Sequence, residues 1–211
     1  MGESFVVLAI GFLAQAFFSA RTLVQWILSE RARKVLSPSL FWVLSLAGAY
    51  LLCIYGWMRD DFAIVLGQIV SYYVYLWNLK LKGVWRRVPQ VFRMILVATP
   101  IAAFAWEMGD AVNVCARFFN REDLPMWLVV FGTGGQLLFT LRFIYQWAYS
   151  HRQGESLLPA GFWFISLVGS LCIVTYAIIR QDIVLIVGQS TGLIVYVRNL
   201  VIIRKEKKEV E

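Results

Sequence analysis

A bundle of seven transmembrane α-helices, two parallel three-helix repeats joined by one more helix, is the architecture this sequence predicts. Three observations carry that expectation. The 211-residue chain is 60% hydrophobic, and its mean hydropathy is +0.67. Only 16% of its residues are charged, against about a quarter in a soluble domain of this size. Its apolar residues fall in long runs, and the stretch from Gln15 to Asn78 is written twice.

The second copy lies 121 positions after the first and needs no gap. Gln15, Arg21, Gln25-Trp26 and Ser29 recur as Gln136, Arg142, Gln146-Trp147 and Ser150. Pro38, Phe41-Trp42, Ser45-Leu46 and Gly48 recur as Pro159, Phe162-Trp163, Ser166-Leu167 and Gly169. Tyr55, Arg59, Asp61, Gly67-Gln68, Tyr75 and Asn78 recur as Tyr176, Arg180, Asp182, Gly188-Gln189, Tyr196 and Asn199. Shared apolar composition does not explain retention of rare polar residues. The unit is duplicated.

In chain order, residues 5–28 form a first span, long enough at ~1.5 Å per residue to cross a ~30 Å hydrocarbon core. The run ending at Ser19-Ala20 resembles a signal peptide, but Glu3 stands where a basic region belongs and the segment recurs internally. Val6 likewise removes a myristoylation signal. Ser37-Pro38 reads as an N-cap with proline at the first helical position, opening a second span to about Met58. The short turn Arg59-Asp60-Asp61 sends a third span, 62–82, back antiparallel. A lone span follows at 88–108, with Pro100 expected to kink it. The second copy then occupies 126–149, 159–179 and 183–203, with a charged tail from Arg204. Units of 1–87, 88–124 and 125–211 follow from this division.

Alternation of loops puts Arg31, Arg33, Lys34, Lys80, Lys82, Arg86, Arg87, Arg152, Arg204, Lys205, Lys207 and Lys208 on one side. The other side holds Arg59, Arg117, Arg121 and Arg180. The bias of basic loops makes the first side cytoplasmic, with the N-terminus outside and the C-terminus inside. A single linking span restores direction after three, so the units are parallel in a 3+1+3 order. The net charge of +7 is thereby explained by cytoplasmic loops, and nucleic acid is not an expected partner. Cys53, Cys115, Cys172 and the single His151 lack metal-binding spacing, so no metal or cofactor is expected.

Arg21 and Arg142 are the strongest candidates for chemistry. An arginine inside a span faces a cavity or a partner, and Gln25 and Gln146 follow on the same helical face. A guanidinium binds phosphate through two parallel hydrogen bonds, which suits an anionic headgroup. The competing reading has each arginine snorkel to the interface beside Trp26 or Trp147. Gln68, Ser71, Tyr75 and Asn78 form a polar stripe on the third span, repeated as Gln189, Gly192, Tyr196 and Asn199. Such a stripe lines a polar path or bonds neighbouring helices together, the second being favoured for Asn78 and Asn199. Gln15 and Gln136, near mid-membrane, are better placed to line a cavity. Asp61 and Asp182 read as helix caps, with a proton or cation site as the minor alternative. The Phe-Trp pairs after each proline read as an interfacial aromatic belt. Arg198 stands opposite Trp77 of the other copy, so the halves differ in charge there.

Phe18-x2-Arg21-x3-Gln25-Trp26-x2-Ser29, with Pro38-x2-Phe41-Trp42-x2-Ser45-Leu46-x-Gly48 and Asp61-x5-Gly67-Gln68-x6-Tyr75-x2-Asn78-Leu79, resembles the lipid-A biosynthesis N-terminal domain family. The pattern covers both repeats. That family is similar to the SWEET, semiSWEET and PQ-loop membrane proteins, so the resemblance implies a SWEET-like bundle. PQ-loop proteins place proline before the first-span glutamine, where this chain has Ala14 and Gly135; Gly134-Gly135 supplies a substitute hinge in the second half only. Domains of the family occur beside polyprenyl-phosphate sugar transferases and lipid-A modifying enzymes. That association implies a lipid-linked sugar phosphate as ligand, a glycosyltransferase as partner and the bacterial inner membrane as location.

Three functions follow as expectations. The first is a flippase-like transporter of a polyprenyl-phosphate sugar or related anionic glycolipid. There, Arg21, Arg142, Gln25 and Gln146 hold phosphate, and Gln15, Gln136, Gln68 and Gln189 meet sugar or line the path. The second is a SWEET-like carrier of a small soluble sugar, and the third a membrane subunit that docks a glycosyltransferase without transport. The sequence shows no Ser-His-Asp set, no paired carboxylates within a span and no phosphate-cradling glycine loop. The chain is therefore expected not to be an enzyme.

Overall fold

The computed structural model describes residues 5–58, 62–108, 125–181 and 183–210. Among them, seven α-helices follow one another: α1 Phe5–Ala32, α2 Ser39–Met58, α3 Phe62–Leu81, α4 Gln90–Met108, α5 Met126–Gln153, α6 Ala160–Arg180 and α7 Ile183–Val210. A 3-10 turn at Val84–Arg87 links α3 to α4. No strand occurs among the described residues. Five of these helices, α1, α2, α5, α6 and the Ile186–Glu206 part of α7, are long and apolar enough to cross a membrane. The fold is that of a multi-pass membrane protein.

The duplication of the sequence is a duplication of the fold. Phe5 and Met126, Ser39 and Ala160, and Phe62 and Ile183 open equivalent helices at the sequence offset of 121. Within each copy the second helix packs against both others, α1 and α3 on α2, α5 and α7 on α6. Between copies α1 packs on α7 and α3 on α5, so the six repeat helices close into a cycle. α4 lies beside α3, where the Tyr72 and Tyr73 hydroxyls donate to the carbonyls of Leu96 and Val97 at 2.9 and 3.0 Å. Pro100 sits inside α4, which is helical on both sides of it.

The first helices stop differently. Gly154 closes α5 at φ 69°, in the left-handed region that glycine enters freely. Its counterpart Arg33 adopts φ 55° after α1 and carries a Cβ there. Ser37 and Pro38 both precede α2, which begins at Ser39, one residue later than expected. The Ser37 hydroxyl accepts from the Trp42 indole N–H at 2.9 Å and meets the Ser156 hydroxyl at 3.0 Å, so it joins two loops.

The interfacial belt is corrected. Phe41, Trp42, Phe162 and Trp163 are at most 2% exposed and sit in the protein core. The reason is local satisfaction of the indoles: Trp42 donates to Ser37 and Trp163 to the Leu158 carbonyl at 3.3 Å. Each ring then packs on the tyrosine of its own third helix, Trp42 on Tyr75 at 5.9 Å and Trp163 on Tyr196 at 6.0 Å. The α5 helix runs unbroken through Gly134-Gly135, the position considered for a hinge.

Candidate functional site

Helices α1 and α5 carry the two arginines inward. Arg21 is 5% exposed and Arg142 is 2% exposed, so neither reaches toward an outer surface. Arg21 Nη1 donates to the Ser45 hydroxyl at 2.9 Å and the Tyr75 hydroxyl at 3.1 Å. Arg142 Nη1 donates to the Tyr196 hydroxyl at 3.3 Å. Aromatic faces surround both: Arg21 lies 4.4 Å from the centre of Phe18, and Arg142 lies 3.2 Å from that of Phe139. One ring is shared. The Phe143 centre lies 5.6 Å from the Arg21 guanidinium carbon and 4.6 Å from that of Arg142.

These cations are incompletely answered. The Nε of each is buried without a hydrogen-bond partner. No carboxylate among the described residues pairs with either guanidinium; the ion pair seen there joins Glu30 and Arg198 instead. An interior charge is stable only when paired and hydrogen-bonded. Flanking rings and phenol oxygens supply part of that, and an anion would supply the rest.

One turn beyond each arginine, the carboxamides join the two repeats. Gln25 Nε2 donates to Asn199 Oδ1 at 2.8 Å, and Asn199 Nδ2 returns a bond to Gln25 Oε1 at 3.1 Å. Gln146 and Asn78 repeat the exchange at 3.1 and 3.0 Å. All four residues are fully buried. Gln25 and Gln146 also donate to Ser29 and Ser150 at 2.8 Å, whose hydroxyls hold the backbone N–H of Leu36 and Leu157. A carboxamide occupied in this way fixes helix α1 to α7 and α5 to α3.

Of the remaining candidates, Gln15, Gln136 and Arg198 lie on these two seams, and Gln189 turns to α6 of its own repeat. Gln15 meets α7 where a Cβ on Gly188 would come within 2.6 Å of its Oε1, and Gln136 meets α3 opposite Gly67. Gln68 is half-buried, and Gln189 Oε1 accepts from Ser170 at 3.1 Å. Arg198 donates from Nε to Glu30 Oε2 at 2.8 Å and from Nη2 to the second oxygen, a two-pronged pair near the end of α1. Its counterpart Trp77 packs instead on His151, the counterpart of Glu30, at 6.1 Å. Asp61 and Asp182 lie outside the described residues, as do Cys115, Arg117 and Arg121.

Three participants, Glu30, Phe143 and Ser45, are not among the candidate site residues that the sequence offers. Glu30 and Phe143 differ between copies, as His151 and Thr22 show, so a search for repeated residues passes over them. Ser45 is repeated as Ser166, and its recurrence was the available signal.

An all-helical, duplicated membrane protein with two inward-facing arginines is the class that fold and site define. The family model for the Lipid A Biosynthesis N-terminal domain matches residues 10–80 and again 131–201. The chain belongs to that family, in two copies, as its repeat motifs implied. Relatives named lipid-A-disaccharide synthase align with nearly all of it. The Chlamydia felis protein is 30% identical over 96% of this chain and 34% of its own length. The Chlamydia pneumoniae protein is 28% identical over 98% and 35%, and that of Chlamydia trachomatis serovar D is 27% identical over 93% and 34%. This chain thus spans about a third of the length of the curated relatives it matches. No solved structure matches it.

These relatives overturn the expectation that the chain is not an enzyme, because the proteins it matches bear an enzyme's name. The expectation rested on motifs sought within this segment. In the relatives most of the length lies outside the match, so a catalytic set need not fall within it.

Proposed function

We propose that the chain is a membrane-embedded module of lipid A biosynthesis that captures the phosphate of an anionic, lipid-linked saccharide between its two repeats. The observation behind this reading is the pair of buried guanidiniums, each with an unpartnered Nε and no carboxylate beside it among the described residues. Arg21 and Arg142 hold the phosphate, with Tyr75 and Tyr196 orienting them. Gln15, Gln136, Gln68 and Gln189 meet the sugar. Gln25, Gln146, Asn78 and Asn199 border the site and set the spacing of the repeats.

The module inserts as a 3+1+3, SWEET-like bundle in the bacterial inner membrane, with units at 1–87, 88–124 and 125–211, the N-terminus periplasmic and the C-terminus cytoplasmic. The relatives' name supports a place next to synthesis of the lipid A disaccharide. There the module would present a phosphorylated lipid to a glycosyltransferase. A flippase-like step is the second reading, favoured by the parallel duplication: rocking one unit against the other would carry the headgroup between leaflets. A carrier of neutral sugar fits less well, because it has no use for two buried cations.

Reconstitution with a fluorescent, phosphate-bearing glycolipid tests the proposal. Capture by the parent is expected, with loss in Arg21→Ala and Arg142→Ala at unchanged helix content. Undiminished capture by both variants would refute it. Movement of the probe between leaflets would separate transport from presentation.

A further inference from the structure

The two arginines belong to different repeats, yet they border the same ring. Arg21 donates to Tyr75, Tyr75 packs edge-on against Phe143 at 4.8 Å, and Phe143 lies 4.6 Å from the guanidinium carbon of Arg142. This path crosses from α1 through α3 to α5, and both buried cations lie near the Phe143 ring centre, Arg21 at 5.6 Å and Arg142 at 4.6 Å. Like charges in a low-dielectric interior repel, and neither has a carboxylate to offset it among the described residues. Each keeps one buried donor, its Nε, without an acceptor.

We propose that Arg21 and Arg142 form one composite site for a single headgroup that carries two negative charges. This inference rests on the anion-binding reading above and adds stoichiometry and charge to it. Two cations, each with one buried donor lacking an acceptor, are balanced by one dianion, whereas a phosphodiester carrying one charge leaves a buried cation unmatched. A phosphate monoester and a diphosphate diester both meet the requirement, and their shared chemistry is two charges on adjacent oxygens. The asymmetry between the repeats supports a shared site. Phe143 stands where the first repeat has Thr22, so one bulky ring, present in a single copy, lies against both guanidiniums in addition to the rings each has from its own repeat.

The test uses the full chain in detergent, examined by native mass spectrometry with three lipids of identical acyl chains. These are phosphatidic acid (a phosphate monoester), phosphatidylglycerol (a diester) and phosphatidylcholine. One phosphatidic acid per chain is expected, preferred over phosphatidylglycerol by about tenfold or more. That preference should shrink below pH ~6, where a phosphate monoester loses its second charge. Arg21→Gln and Arg142→Gln should each abolish it, and Arg142→Lys should restore part of it, an outcome that a purely structural role does not give. Two phosphatidic acids per chain, one lost in each variant, would overturn the shared site and leave anion binding standing. Equal retention of the monoester and diester lipids by the parent would overturn the dianion. Retention of phosphatidic acid by the double Gln variant at the parent's level would overturn the anion reading itself.

Discussion

Gln25 and Asn199 trade hydrogen bonds in both directions across the two repeats, at 2.8 and 3.1 Å, with neither side chain exposed. Removing one partner leaves the buried carboxamide oxygen of the other without its donor, and the second removal then costs less. Gln25→Ala is expected to destabilise the protein by about 1–2 kcal/mol, toward the upper end for hydrogen bonds between membrane helices. Adding Asn199→Ala should cost less than it does in the parent background. Denaturation in mixed micelles supplies the double-mutant cycle. Additive losses would mean that the two amides do not depend on each other.

Much of this arrangement was legible in the sequence, and the reason is the duplication. A polar residue kept twice in an apolar span marks an interior position, so Arg21, Gln25, Asn78 and their counterparts stood out. The class of fold followed from composition and run length. Pairing across the repeats was not legible. Periodicity assigns a residue to a face of its own helix and is silent on which helix that face meets, so it offers Gln25 to a phosphate although Asn199 bonds its carboxamide. The aromatic pairs misled for a related reason: a Phe-Trp at the start of a span is an anchor or a core element according to whether its indole finds an acceptor inside. Ser37 and the Leu158 carbonyl, one a side chain and one backbone, decided that.

Glu30 and Arg198 pair at the place where the other seam sets His151 against Trp77 in a tilted ring contact. Both arrangements join the end of a first helix to the third helix of the opposite copy, one by charge and one by ring contact. Transplanting the second into the first, with Glu30→His and Arg198→Trp together, should keep the fold. Glu30→Arg alone sets two guanidiniums against each other and should lower the melting temperature, most clearly at low salt. Because both side chains are well exposed, the loss should fade as salt is added. A melting temperature that is insensitive to both changes would show that the pair does not join the helices.

Arg33 occupies the left-handed region at φ 55°, where its counterpart in the second repeat is Gly154. A side chain in that conformation costs roughly 1 kcal/mol relative to glycine. Arg33→Gly is therefore expected to raise stability by up to about that amount, less the greater freedom that glycine gives the unfolded chain. Gly154→Arg, the reverse change, should lower it. Thermal melts of the two variants check the sign directly, and a destabilised Arg33→Gly would place the helix stop elsewhere.

Gly188 leaves room on α7 for the Gln15 side chain of α1. An added Cβ would fall 2.6 Å from Gln15 Oε1 and 2.8 Å from its Cδ, whereas at Gly67 the nearest atoms, on Gln136 and Thr140, stand 3.3 Å away. The seams are equivalent by sequence and unequal in tightness. Gly67→Ala should cost less, because the ends of Gln136 and Thr140 need give by only a few tenths of an ångström. Gly188→Ala must displace the Gln15 carboxamide, at a cost of about 1–3 kcal/mol if its neighbours hold it in place. Because the obstacle is the end of one flexible side chain, Gln15→Ala in the same molecule should recover most of the loss. Melting of the four proteins in one detergent measures this. If Gly188→Ala proves destabilising and Gln15→Ala does not relieve it, the obstruction comes from the backbone, and α1 and α7 meet through a different contact.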